Sequence, residues 1–223
     1  MKTKIIKTVF TVYCLLFAVH SFSQNWQWAN SCGGNNYDVG GYICIDNFDN
    51  VYISGQVTEP KAFFQTDTLT INGFSDFFLA KYNANGNELW VRQFGGYNAT
   101  GNFDGIPQIV YDINTNSIYM IGSFIGDCIF GTFHLYAASS TDYQIYLAKF
   151  DLNGNCIWAK SAGGTGGDGS SGITIDQNGN ILISGYMSNG GSFDTIQIIA
   201  GGFLAKYNNN GNCLWAKHIT TGG

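Results

Sequence analysis

Tyr146-Leu147-Ala148-Lys149-Phe150-Asp151-Leu152-Asn153-Gly154-Asn155-Cys156-Ile157-Trp158 has two close variants elsewhere in the chain. In the first, Phe78-Leu79-Ala80-Lys81-Tyr82 turns through Asn83-Ala84-Asn85-Gly86-Asn87 towards Trp90. In the second, Phe203-Leu204-Ala205-Lys206-Tyr207 turns through Asn208-Asn209-Asn210-Gly211-Asn212 towards Trp215. An apolar run, an Asn-Gly turn and a second run ending in an aromatic read as a β-hairpin. Each hairpin leads to a Gly-Gly pair, at Gly95-Gly96, Gly163-Gly164 and Gly222-Gly223. The same ending stands alone near the N-terminus, from Trp28 to Gly33-Gly34, and the four Trp residues are 62, 68 and 57 residues apart.

Each repeat has a second half. Asp38 precedes Tyr42 to Asp46, and Asp49-Asn50 turns the chain into Val51 to Gly55. The counterparts are Asp104, Asp112 and Ile118 to Gly122, then Asp168, Asp176 to Asn180 and Ile181 to Gly185. Between the halves sits Phe-x-Thr-x-x-(Leu/Ile), at Phe64, Phe130 and Phe193. Four short strands per repeat predict an all-β protein of β-propeller-type blades, each of four antiparallel strands. A β-sandwich would not need the same turn, Ala and Trp at matching places three times.

Composition agrees. The 223 residues hold 35 aromatics, 30 Gly and 2 Pro, and only 11% are charged, which suits strands joined by tight turns and excludes disorder as the main state.

The first 23 residues read as a secretory signal peptide rather than a buried N-terminal helix. Lys2, Lys4 and Lys7 precede the apolar run Val9 to Val19, and Ser21-Phe22-Ser23 offers small residues before Gln24. Cys14 lies inside that run without a lipobox-like context. Removing residues 1–23 leaves seven basic and fifteen acidic residues, a net charge of −8. This argues against nucleic acid and anionic membrane as partners, and against membrane insertion after cleavage. Five cysteines remain, Cys32, Cys44, Cys128, Cys156 and Cys213, with no C-x-x-C pair. Cys156 and Cys213 hold the same place in successive repeats, too far apart to bond to each other. With His134 and His218 remote in sequence, no zinc spacing is visible.

The full run of Gly-Gly, Asp, Asp-x-x-Gly-Asn, Phe, (Phe/Tyr)-Leu-Ala-Lys-(Tyr/Phe), Gly-Asn and Trp resembles the SBBP class of bacterial β-propeller repeat over residues 24–223. The resemblance implies secreted or cell-surface proteins, often with a C-terminal type IX secretion or adhesion module, and no settled enzymatic activity. Phe48-Asp49 departs from it, because the family favours Gly in that first turn. The expected organisation is a signal peptide (1–23), a leading outer strand (24–34) and three blades (35–96, 97–164 and 165–223). Three blades are fewer than the four to eight of closed propellers. The chain therefore reads as an open three-blade arc, the N-terminal part of a longer propeller. Its leading strand should flank blade 1 as a stray edge, and its ends should expose apolar faces that lead the isolated piece to aggregate or associate.

If Asp151 pairs with Asn155 and Gly154 forms a bulge, counting outward sets Ala148 opposite Trp158, Ala80 opposite Trp90 and Ala205 opposite Trp215. A small residue facing a large one keeps the volume between blades constant, so the Trp row, including Trp28, reads as packing rather than a ligand platform. Gly86, Gly154 and Gly211 serve the turns. The Asp-x-Asn-Gly-Asn turns invite a calcium reading but lack the loop length and the terminal acid of a calcium loop, and Asx turns give the same composition. Asp38, Asp104 and Asp168 are the chemical candidates. Several carboxylates near one axis could hold calcium or a polar ligand, whereas the competing and favoured reading has each one capping its own turn. Asn98-Ala99-Thr100 matches a glycosylation sequon, read as chance.

The chain fits three function classes. The first is an extracellular binding or scaffold module for a protein or glycan, without catalysis. The second is a polysaccharide- or peptide-acting enzyme using loop-face carboxylates. The third is a structural spacer carrying a domain outside this sequence.

Overall fold

The computed structural model describes residues 27–96, 106–137 and 139–219. The signal segment, Asp104, the Asn98 sequon and Gly222-Gly223 lie outside the described residues.

The described chain is all β. Blade 1 holds β1 (Val39–Ile45), β2 (Val51–Thr58), β3 (Lys61–Phe63), β4 (Thr68–Thr70), β5 (Ser75–Tyr82) and β6 (Glu88–Phe94). Blade 2 holds β7 (Gln108–Asp112), β8 (Ser117–Ile125), β9 (Asp127–Phe130), β10 (Phe133–Tyr136), β11 (Tyr143–Phe150) and β12 (Cys156–Ala162). Blade 3 holds β13 (Asp168–Ile175), β14 (Ile181–Met187), β15 (Gly191–Phe193), β16 (Ile196–Ile198), β17 (Gly201–Tyr207) and β18 (Cys213–Ile219). Each blade is a four-stranded antiparallel sheet, ordered β1-β2-β5-β6, β7-β8-β11-β12 and β13-β14-β17-β18. The strands β1, β7 and β13 lie side by side at the inner edge. The three blades form an open arc of propeller type.

The Phe-x-Thr echo belongs to an added two-stranded ribbon in each blade, β3–β4, β9–β10 and β15–β16. Each ribbon reaches back to the Gly-Gly pair that precedes its blade, through the bridges Gly33–Phe63, Gly95–Ile129 and Gly163–Ser192. A Cβ on the second glycine would strike a carbonyl at the entrance of the ribbon, that of Lys61 at Gly34, Asp127 at Gly96 and Gly190 at Gly164. The glycine pairs are there because backbone must approach backbone.

The apolar cores lie between blades. Tyr52, Phe77 and Leu79 of blade 1 meet Ile109, Met120, Phe130 and Phe150 of blade 2. Tyr119, Ile121 and Leu147 of blade 2 meet Ile183, Phe193, Phe203 and Tyr207 of blade 3. A third cluster, with Ala62, Phe64, Phe78 and Tyr82, lies under the ribbon of blade 1.

The first turn of each blade places its fourth or fifth residue in the left-handed region: Asp49 (φ 57°), Asn116 (φ 48°) and Gly179 (φ 76°). Asp and Asn tolerate this conformation, which accounts for Asp49 where the repeat pattern favours Gly. A Cβ on Gly179 would meet nothing within 4 Å, so Gly179→Ala isolates the backbone cost. Chemical denaturation should show a loss of about 1 kcal/mol for Gly179→Ala and no loss for Asp49→Gly. Equal effects at the two sites would contradict this account of the turn.

Two expectations are corrected. Residues 27–34 form no strand ladder with blade 1, only the single bridge at Gly33. Their docking runs instead through side chains on the turn of β5 and β6. The register expected for the Trp residues is also off by one. Phe150 does pair with Cys156, but a bulge then intervenes, so Lys149 faces Trp158 and Ala148 faces Ala159. Likewise Lys81 faces Trp90 with Ala80 on Val91, and Lys206 faces Trp215 with Ala205 on Ala216. The extra residues Leu89, Ile157 and Leu214 point outward and are exposed. A bulge of this kind sets two residues against one and turns the rest of the strand to the other face.

The five described cysteines are all free, so Cys156 and Cys213 do not bond.

Candidate functional site

Asp38 and Asp168 are committed to their own linkers. One oxygen of Asp38 accepts from Gly34 N–H and the other from Thr58 N–H at 2.9 Å. Asp168 repeats this with Gly164 N–H at 2.7 Å and Ser188 N–H at 3.1 Å. Each carboxylate ties the Gly-Gly linker to the end of the second strand. Burial raises the pKa of Asp168, and the two N–H donors work against that rise. Both described members of this set thus spend their oxygens on backbone, as a capping role requires.

The turn carboxylates do the same. Asp151 Oδ1 accepts from Asn153 and Asn155 N–H at 2.9 and 2.8 Å, and Asp176 Oδ1 from Asn178 and Asn180 N–H at 2.8 and 2.9 Å. In each case a side chain closes its own turn.

The shifted register creates a recurring polar contact between blades. The indole N–H of Trp90 donates to the Leu152 carbonyl at 3.2 Å, and Lys81 Nζ donates to the same oxygen at 3.3 Å. One blade on, Trp158 and Lys149 converge on the Asn209 carbonyl at 3.2 and 3.3 Å. The acceptor is the second residue of the next blade's Asn-Gly turn. The indole also lies over the turn glycine. A Cβ on Gly154 would come within 3.0 Å of Trp90, and one on Gly211 within 3.1 Å of Trp158. Gly154 (φ 80°) and Gly211 (φ 80°) are therefore required twice, for backbone conformation and for room. The ammonium groups sit near the Tyr52 and Tyr119 rings, at 4.9 and 5.3 Å. Lys81 and Lys149 are both buried, and burial lowers the pKa of Lys149. Only because the bulge puts Lys opposite Trp can both reach one carbonyl. The Lys recurs plainly in the sequence, and its role becomes visible once the register is known.

Trp28 makes the same contact on blade 1. Its indole N–H donates to the Ala84 carbonyl at 3.1 Å, its ring stacks on Tyr82 at 6.4 Å, and a Cβ on Gly86 would approach it to 2.5 Å. Asn30 Nδ2 adds a bond to the Gly86 carbonyl at 2.6 Å.

A second polar region, unforeseen from the sequence, lies where blade 1 meets blade 2. A cavity of about 350 Å³ is lined by Asn72, Asp76, Gln93, Gly95, Gly96 and Ile129. Asp76 accepts from Asn72 N–H at 2.9 Å and Gln93 Nε2 at 2.5 Å, both on Oδ2. Its Oδ1 is buried without a hydrogen bond, as is Oδ1 of Asp127. Burial pushes the Asp76 carboxyl up to about 6, against those two donors. The other Asp127 oxygen contacts His134 Nε2 at 3.0 Å, and His134 Nδ1 contacts Tyr136 Oη at 2.8 Å.

No family model matches the chain. It is similar to the uncharacterized WD repeat-containing protein L264 of Acanthamoeba polyphaga mimivirus, with 29% identity over 178 residues, 66% of this chain and 13% of that protein. The chain thus spans only a small part of that relative's length. A WD repeat is a four-stranded propeller blade, in agreement with the three sheets of this chain. None of the five Trp residues is followed by Asp, so the likeness lies in the blade pattern rather than in the Trp-Asp dipeptide. Fold and relative together make this a repeat protein of β-propeller type.

Proposed function

We propose that the chain is an exported, non-catalytic propeller-repeat module of the SBBP kind, which binds an extracellular protein or glycan through its loops. One observation carries this reading. The recurring polar residues, from Asp38 and Asp168 to the Trp–Lys pairs, hold backbone to backbone and blade to blade, while the loops between them differ in length and sequence. A constant frame with variable loops is how propellers present binding surfaces. Export rests on the N-terminal sequence pattern.

Material exported by an expressing host should have an intact mass that begins at Gln24. A product retaining residues 1–23 would refute the export reading. The same material, tested on glycan and extracellular-protein arrays, should bind a defined ligand without turning it over.

The enzyme alternative has one observation in its favour, two buried carboxylate oxygens without a hydrogen bond, Asp76 Oδ1 in the lining of the blade 1–blade 2 cavity and Asp127 Oδ1 close to Gly96 of that lining. Release of reducing ends or peptide fragments that stops in Asp76→Asn would establish that alternative instead.

A further inference from the structure

The Trp–Lys contact occurs twice between blades and is half-formed at both ends of the arc. At the far end, Trp215 and Lys206 face each other across β17 and β18 as the earlier pairs do. The Trp215 indole N–H makes no hydrogen bond to any described residue, and its ring carries only Lys217, 5.8 Å from the centroid. Lys206 has instead folded onto its own Asp176 at 2.6 Å, whereas Lys81 stands 3.6 Å from Asp46 while bonding the next blade. Beside this pair, Leu204 is partly exposed where Leu79 and Leu147 are buried, with 0% and 2% exposure. Leu182, Ser184, Leu204 and Thr174 line an open groove of about 270 Å³ on this blade.

The near end is the complement. Blade 1 carries the acceptor turn, with the Ala84 carbonyl above Gly86, and Trp28 of the leading segment occupies it without a companion Lys. Ile43 of β1 is 63% exposed, while Ile109, at the same register position in blade 2, is 7% exposed. The two ends also differ in charge. Lys206 and Lys217 mark the far end, and Asp67 and Glu88, which bond through Asp67 N–H, flank the acceptor turn.

We propose that blade 3 docks on blade 1 of a second copy, Trp215 and Lys206 converging on the second copy's Ala84 carbonyl, and that Trp28 is the placeholder this docking displaces. The interface repeats the two inside the chain, so it needs no new chemistry. It is head-to-tail, and such contacts make rings when the rotation closes. Two sets of the three described blades give six, within the four to eight of closed propellers, and three sets would exceed that range. The leading segment then acts as a gate. While Trp28 sits on Gly86 the acceptor turn is satisfied, and association must outcompete it. This assembly is independent of what the loops bind.

Sedimentation velocity on the full chain, over a concentration series, tests the proposal. We expect a monomer–dimer equilibrium with no larger species. Trp28→Ala should tighten it about tenfold by removing the competitor. Trp215→Ala should weaken it by tenfold or more, as loss of a central aromatic anchor does, and Lys206→Met should weaken it less. Near-UV circular dichroism confirms that each variant is folded. If Trp28→Ala fails that check, Asn30→Ala loosens the same segment and should tighten the dimer in the same direction. Monomers at every concentration in both the unaltered chain and the gate variant would overturn the proposal. So would open-ended polymers, or a dimer indifferent to Trp215→Ala.

Discussion

Trp90→Ala is expected to cost about 3 kcal/mol and Trp215→Ala under about 1 kcal/mol, although the two residues hold the same place in their blades. Trp90 is half-buried. It lies against Tyr52 at 6.0 Å and over Gly154, and its N–H is tied to Leu152. Truncating a fully buried Trp costs roughly 3–5 kcal/mol, partial exposure reduces this, and the lost hydrogen bond restores about 1. Removing the ring also strands the Leu152 carbonyl with Lys81 alone. Trp215 has no neighbouring blade among the described residues, so its removal deletes little burial. For a chain of this size the first change should lower Tm by roughly 6–12 °C and the second by a few degrees at most. Blade-to-blade contacts act between nearest neighbours in repeat proteins. Trp90→Ala should therefore also broaden the transition as blade 1 uncouples from blade 2. Calorimetry at low protein concentration, where the chain is monomeric, makes the comparison, and equal losses would refute the assignment of the Trp row to contacts between blades.

The same pair shows where sequence reading ends. Repetition discloses the blades because the hairpin turn, the Ala-Lys pair and the Trp recur in order, and each has a local cause in strand pairing or a positive φ. The left-handed turn glycines come from the Asn-Gly dipeptide alone. The bulge does not, since Ile157 and Trp158 are both plausible inward residues until the neighbouring blade selects one. A slip of one residue exchanges faces, so it moves the partner of Trp158 from Ala148 to Lys149 and conceals the shared carbonyl. The leading segment departs from its expected place for a related reason. Its Trp and Gly-Gly match an outer strand, but the described part of the segment is held by the Trp28 indole, the Asn30 amide and one bridge at Gly33 rather than by a strand ladder. Asp38 and Asp168 are legible as caps because their spacing from Gly-Gly is local. Asp76 and Asp127 are not, for they approach the Gly95-Gly96 linker from two different blades, about fifty positions apart, and neither belongs to the repeat.

Asp76 should make the protein lose stability as pH rises from roughly 4 to roughly 6, the reverse of the usual behaviour of a carboxylate. Its folded pKa, about 6, lies above the ordinary value of 3.8. Below roughly pH 4 the group is protonated in folded and unfolded chains alike, and nothing is lost. Between the two values the folded chain holds a proton that the unfolded chain has released, so raising the pH favours unfolding. Above roughly pH 6 the charge is buried with only Oδ2 bonded, and the penalty is complete at about 3 kcal/mol. Other carboxylates act oppositely. The Lys206 ammonium holds Asp176 well below the usual range, so its contribution is present at neutral pH and disappears in acid. The diagnostic quantity is thus the difference between the unaltered chain and Asp76→Asn, which keeps an acceptor for Asn72 and Gln93 and removes the charge. Urea unfolding should find the variant near-neutral at roughly pH 4 and more stable by about 1–3 kcal/mol at roughly pH 7, part of the gain being offset by its unpaired amide. A difference that does not change with pH would mean that Asp76 is ionised at no cost, its free oxygen reached by solvent through the cavity.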